Sequence, residues 1–78
     1  MENILGRITF DNRLLRGKPA IRNLRISVEM ILELMAKGSP VQEILEDYPM
    51  LQIEDIQAAL LYARQLVSGE LVFDRTTA

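Results

Sequence analysis

Apolar positions recur along this chain at two different periods, and the change of period divides it. Over Arg7-Ile8-Thr9-Phe10 polar and apolar residues alternate, the period of a half-covered strand. Ile4-Leu5-Gly6 ahead of it reads as a frayed start. Asp11-Asn12 breaks the alternation, and Leu14 to Lys18 reads as a loop in which Gly17 permits positive φ. Pro19-Ala20-Ile21 is expected to pair with the first strand, with Pro19 at its start, where a missing N–H is tolerated. Asn23 is a turn residue that accepts the left-handed region, and Leu24-Arg25-Ile26 returns to extended backbone.

From Ser27 the period becomes helical. Ser27 is a candidate N-cap with Glu29 in the first turn, and Val28, Ile31, Leu32 and Met35 form one stripe that Lys37 and Gly38 terminate. Ser39 as cap, Pro40 at the first helical position and Gln42 at the third predict a second helix over about Pro40 to Asp47, with Val41, Ile44 and Leu45 inward. Pro49 prevents its continuation. A third helix is predicted from Ile53 to about Val67, stopped by Ser68-Gly69, with a main stripe of Ile53, Ile56, Ala59, Leu60, Ala63 and Val67. Leu61, Tyr62 and Leu66 widen that stripe, which implies burial on more than one side, either in a deeper core or in a dimer seam. After it, Leu71-Val72-Phe73 is a short β-prone run suited to pairing with the arm, to pairing across a dimer, or to docking on a partner by strand addition. The pattern therefore predicts one mainly α domain over 1–78: a short N-terminal β arm at 7–26, a three-helix, helix-turn-helix-like bundle at 27–67 and a tail at 68–78.

Composition narrows the function. The chain has 78 residues with no Cys and no His, so disulfides, thiolate zinc sites, thiol nucleophiles and the commonest general base are all excluded. Hydrophobic residues at 49% are too many for a disordered chain, and no apolar run approaches the ~20 residues that span a bilayer. The start, Met1-Glu2-Asn3-Ile4, lacks the basic region of a secretory signal, so a cytoplasmic protein without a membrane partner is expected. The adjacent acids Glu46-Asp47 and Glu54-Asp55 diverge by about 100° on a helix, while Glu29 and Glu33 face together as a solvated pair. No nucleophile, base or oxyanion donor converges on them, and the glycines are too scattered for a phosphate loop. The expectation is a binding protein rather than an enzyme, with no catalytic residues, cofactor or metal. A core this small supplies at most ~3–5 kcal/mol, so a homo-oligomer is expected.

The net charge of −2 conceals an asymmetry. Residues 1–25 hold six cations against two acids, a net of +4, and residues 26–78 hold three against nine, a net of −6. A three-helix unit whose last helix is longest suggests DNA binding, but Glu54 and Asp55 stand where a recognition helix would approach phosphate and base edges. The better nucleic-acid candidates are Arg16, Lys18, Arg22 and Arg25 on the arm. Glu54, Asp55 and the tail residues Leu71, Val72 and Phe73 are the candidates for a protein partner, and Leu61, Tyr62 and Leu66 for the dimer seam.

The run Gly17-Lys18-Pro19-Ala20-Ile21-Arg22-Asn23-Leu24-Arg25-Ile26, followed by Ile44-Leu45-Glu46-Asp47-Tyr48-Pro49 and Glu54-Asp55-Ile56-Gln57-Ala58-Ala59-Leu60, closely resembles a small prokaryotic family, domain of unknown function 433, described as antitoxin-like and similar to VapB-type antitoxins. The resemblance covers about Arg7 to Val67. It implies a β arm followed by a homeodomain-like three-helix unit, and a toxin–antitoxin pair in which the chain sequesters a PIN-like nuclease, with operator DNA as a further ligand. Members of that family usually carry Gly and Thr where this chain has Asn23 and Leu24, and Thr where it has Gln52. Asn23 can hold the same left-handed turn, Leu24 replaces a hydroxyl with apolar surface, and Gln52 is a poorer cap by ~1 kcal/mol. The alternatives are a dimeric DNA-binding transcriptional regulator and a structural interaction module without nucleic acid.

Overall fold

The computed structural model of the chain describes residues 3–68, so Leu71, Val72 and Phe73, and Gly69 of the expected helix stop, lie outside the described residues. The arm opens not as a frayed end but as a 3-10 turn, Ile4–Arg7, capped by the Asn3 side chain on the Leu5 N–H and packed against the third helix. Strand β1, Ile8–Thr9, pairs antiparallel with β2, Ala20–Ile21, in the register Ile8 to Ile21 and Thr9 to Ala20. Both strands are only two residues long, shorter than the alternation suggested, because Asp11 and Gly17 bend the chain away at once.

Two left-handed turns shape the rest of the arm. Leu15, Arg16 and Gly17 have φ of 55, 56 and 79°, a tight turn closed by Gly17 N–H to the Asp11 and Leu14 carbonyls. The φ at position 17 favours glycine, and a side chain there would also have to displace the exposed Asn12 side chain, whose Oδ1 would stand 2.7 Å from the added carbon. In the second turn both central residues, Arg22 (47°) and Asn23 (58°), have positive φ, and the Leu24 N–H donates to the Ile21 carbonyl, as in a type I′ hairpin turn. Asn23 takes the left-handed geometry expected of it, and its N–H donates to Thr9 Oγ1 at 2.8 Å. Arg22 is the surprise, a long side chain where a left-handed backbone costs ~1 kcal/mol or more.

The helices follow. Helix α1, Val28–Ala36, is capped by Ser27, whose Oγ accepts from the Met30 N–H. It ends in a Schellman motif: Gly38 (φ 97°) donates to Met35 and Ser39 to Leu34. The start of α2 differs by one residue from the expectation: the helix runs Val41–Asp47 with Pro40, not Ser39, as its N-cap, and no side chain caps it. The five-residue connection Tyr48 to Gln52 buries Leu51 and leads into α3, Ile53–Val67, with the predicted bounds. Ile21, Ile31, Ile44 and Ile56 are fully buried where β2 and the three helices meet, each contributing about 1.5–3 kcal/mol by leaving water. The described part is thus a mainly α three-helix domain with a short β arm.

The face of α3 that is buried differs from the expected stripe. Asp55, Ile56, Ala58 and Ala59 face inward, and Ile53, Leu60 and Val67 face out, with exposures of 43%, 43% and 84%. The cause is Asp55, which has no exposed surface. Its Oδ1 accepts from Arg7 at 2.9 Å and from Arg22 Nε at 3.0 Å, and its Oδ2 from Arg22 at 2.8 Å and from the Gln52 N–H at 2.8 Å. The last bond also offsets the weak cap at Gln52, since the third residue of the helix satisfies the N-cap amide.

Burial alone would push the Asp55 carboxyl above the ordinary aspartate value. The hydrogen bonds from Arg22, the Gln52 amide and Arg7 outweigh it and hold the group below 3.8. A carboxyl lowered on folding stabilises the fold in full above its unfolded value, and the contribution is lost as pH falls through the lower folded value. Asp55→Asn is therefore expected to cost about 2–3 kcal/mol at pH 7, less than a fully buried pair because Arg22 can rehydrate. The cost should shrink below pH 4 in urea titrations of both proteins. Equal pH dependence of the two would contradict this account.

Candidate interaction surfaces

The basic arm resolves into paired and unpaired cations. Arg7 and Arg22 are spent on Asp55, and Arg22 also donates to the Met50 carbonyl at 2.7 Å. Arg13 donates to Asp11, whose carboxyl is lowered by that bond. Lys18 meets Glu29 at 3.2 Å with both side chains exposed, a contact worth little in water. Arg16 and Arg25 are exposed and make no ion pair among the described residues. Of the four candidates for nucleic acid, Arg22 is thus a structural counterion, Lys18 is loosely engaged, and Arg16 and Arg25 are free to meet a phosphate.

The predicted partner-binding acids also separate. Asp55 is enclosed and neutralised, so it presents nothing to a partner and does not oppose phosphate at the start of α3. Glu54 beside it is half-buried without an ion pair among the described residues. Arg7, which helps to hold the Asp55 cluster together, carries no local signal of that role in the sequence, and only three-dimensional proximity across 48 residues reveals it, whereas Gln52 and Asp55 stand at the N-cap and third-residue spacing of a capping box.

Two apolar surfaces remain open on α3. On one side a groove of about 630 Å³ runs between α1 and the C-terminal half of α3. Val28, Leu32, Ala36, Tyr62, Ala63 and Leu66 form its apolar walls, and Lys18, Glu29 and Glu33 stand at its edge. Of the expected seam residues, Tyr62 and Leu66 line this groove, and Leu61 is half-buried outside it. Phe10, 59% exposed, lies against Tyr62 with ring centroids 6.1 Å apart and joins the arm to this end of the helix. On the opposite side are Ile53, Leu60 and Val67, seven residues apart and so in line along the helix. That spacing was visible in the sequence but was assigned to the core.

Among the described residues no group of three or more potential ligands is placed to hold a metal ion, and no helix is long and apolar enough to cross a membrane.

The division between paired and free arginines has a direct stability readout. Arg22→Ala strands the Asp55 carboxylate and is expected to lower stability by about 1–3 kcal/mol, while Arg25→Ala should stay within about ±0.5 kcal/mol. Urea midpoints of the two variants check this, and equal values would refute the assignment.

No curated protein and no solved structure matches this chain. Residues 8–63, which hold the paired strands, the left-handed turns, Arg22 and Asp55 of the buried cluster and most of α3, match the family described as protein of unknown function DUF433, and the chain belongs to that family.

Proposed function

We propose that this chain is an antitoxin-like binding protein of the cytoplasm that sequesters a PIN-like nuclease by receiving one of its amphipathic segments in the groove between α1 and α3. The observation that carries this reading is the groove itself: among the described residues an apolar trough stands open, with carboxylates at its edge. A trough of this shape is the kind of surface that receives the apolar face of an amphipathic segment. Glu29 and Glu33 at the edge are held only in exposed pairs with Lys18 (3.2 Å) and Lys37 (3.1 Å), worth little in water, so both can turn to a segment whose polar side is basic while the apolar floor supplies affinity. Binding is the whole mechanism; inhibition follows from occlusion of the partner's active site.

The test is co-expression with a PIN-like nuclease encoded next to this chain. A complex is expected that suppresses ribonuclease activity, and Leu66→Glu in the groove should weaken it about 10-fold or more while leaving the helical circular dichroism unchanged. Failure to form a complex at micromolar concentrations, or an undiminished complex with Leu66→Glu, would reject the reading.

Operator binding is a second reading, favoured by the exposure of Arg16 and Arg25 without ion-pair partners among the described residues. It places the arm rather than α3 on the duplex, since the outward face of α3 is mostly apolar. Arg16→Ala and Arg25→Ala should each reduce the slope of log affinity against log salt by about 1. Unchanged slopes would remove nucleic acid from the function.

A further inference from the structure

The outward face of α3 is distinct from the groove and calls for a different occupant. It carries Ile53, Gln57, Leu60, Arg64 and Val67 in steps of four and three residues, the spacing by which one helix lies along another. All five side chains are exposed, on the side of the helix opposite the buried Ala58 and Ala59. Met50, 49% exposed, extends the apolar surface beyond the helix start. From residue 53 to residue 67 the order is apolar, polar, apolar, polar, apolar, and it has the same order in reverse.

We propose that this face binds the same face of a second copy, with the two α3 helices antiparallel and Leu60 on the two-fold axis. Leu60 lies midway between Ile53 and Val67, seven residues from each. A two-fold axis there sets Leu60 against its counterpart and Ile53 against Val67 of the second copy, as a self-complementary interface requires. Charge selects the direction. Arg64 is the one cation of the stripe, and the antiparallel pairing brings it beside Gln57 of the second copy, one helical turn from that copy's Glu54. A parallel pairing would instead oppose Arg64 to Arg64. A second copy supplies both members of this charge contact, Arg64 on one helix and Glu54 on the other, twice over about the axis. One helix face lies at the small end of specific interfaces, so the dimer is weak, with a Kd of about 10–100 µM.

The stripe serves this dimer without drawing on the groove, and the tests separate the two. Sedimentation of the full chain from 5 to 500 µM (about the range that brackets that Kd) should show a monomer–dimer equilibrium. Leu60→Glu places two carboxylates on the axis and should raise the Kd at least ~10-fold, with the nuclease complex retained. The chain has no cysteine, so introduced thiols report geometry without background. Leu60→Cys should cross-link under mild oxidation. Ile53→Cys alone should not, and an equimolar mixture of Ile53→Cys and Val67→Cys chains should form the mixed disulfide. A monomer at every concentration, a dimer weakened by Leu66→Glu but not by Leu60→Glu, or efficient self-cross-linking of Ile53→Cys would each overturn the proposal.

Discussion

One enclosed carboxylate organises this domain. Asp55 takes guanidinium groups from the beginning of the arm and from its second turn, and the amide that opens α3, on a side chain with no exposed surface. An ionised group buried without partners is costly, so removing one arginine leaves a penalty on what remains of the cluster. Its two arginines span the β-ribbon, so the arm is bound to the helical unit by charge as well as by the packing of Ile8 and Ile21. It also helps to hold Arg22 in a left-handed backbone that its side chain disfavours, since from there Nε and one terminal nitrogen both reach the carboxylate.

The same cluster sets the rotation of α3 and hence what the surface offers. That helix is apolar on two sides, and hydrophobicity alone does not choose between them. With Asp55 turned inward, positions about 120–160° away around the helix, namely 53, 60 and 67, must point outward. Ala58 and Ala59 then face the core, where small side chains let the 3-10 turn at the N-terminus approach closely. The exposed stripe is therefore a consequence of where the counterions are, and the binding surfaces proposed for this chain follow from an electrostatic constraint within it.

This explains what could be read from the residues alone. The ends of α1 and α3, the Ser27 cap, the Gly38 stop, the strand pairing and the left-handed Asn23 were all legible, because each depends on neighbours within a few positions. The start of α2 differs by one residue, since Ser39 is a strong cap by composition but the chain turns into helix only after Pro40, with no side-chain cap. Asp55 was misread for a stronger reason. An acid in the first turn of a helix is ordinarily an exposed complement to the helix dipole, and nothing local distinguishes one whose partners lie 33 and 48 residues back. The expected stripe was right for Ile56 and Ala59, which are buried, but taking Asp55 as exposed left Ile53, Leu60 and Val67 in the core as well, where the structure turns them outward. The positive charge of the arm was correctly located, but much of it is consumed internally, which leaves Arg16 and Arg25 as its free remainder.

The bridge from Arg7 to Asp55 also bears on how the molecule is made. Arg7 emerges from the ribosome early and Asp55 only after 47 intervening residues, while the helices contain mostly local contacts. Loop closure over such a distance adds little to the equilibrium cost but delays the event that completes the structure. During translation the arm must therefore wait, its arginines solvated, until α3 has begun to leave the exit tunnel, and a nascent chain arrested before that point would hold an unfinished domain, since helices of 9 and 7 residues are marginal without tertiary packing.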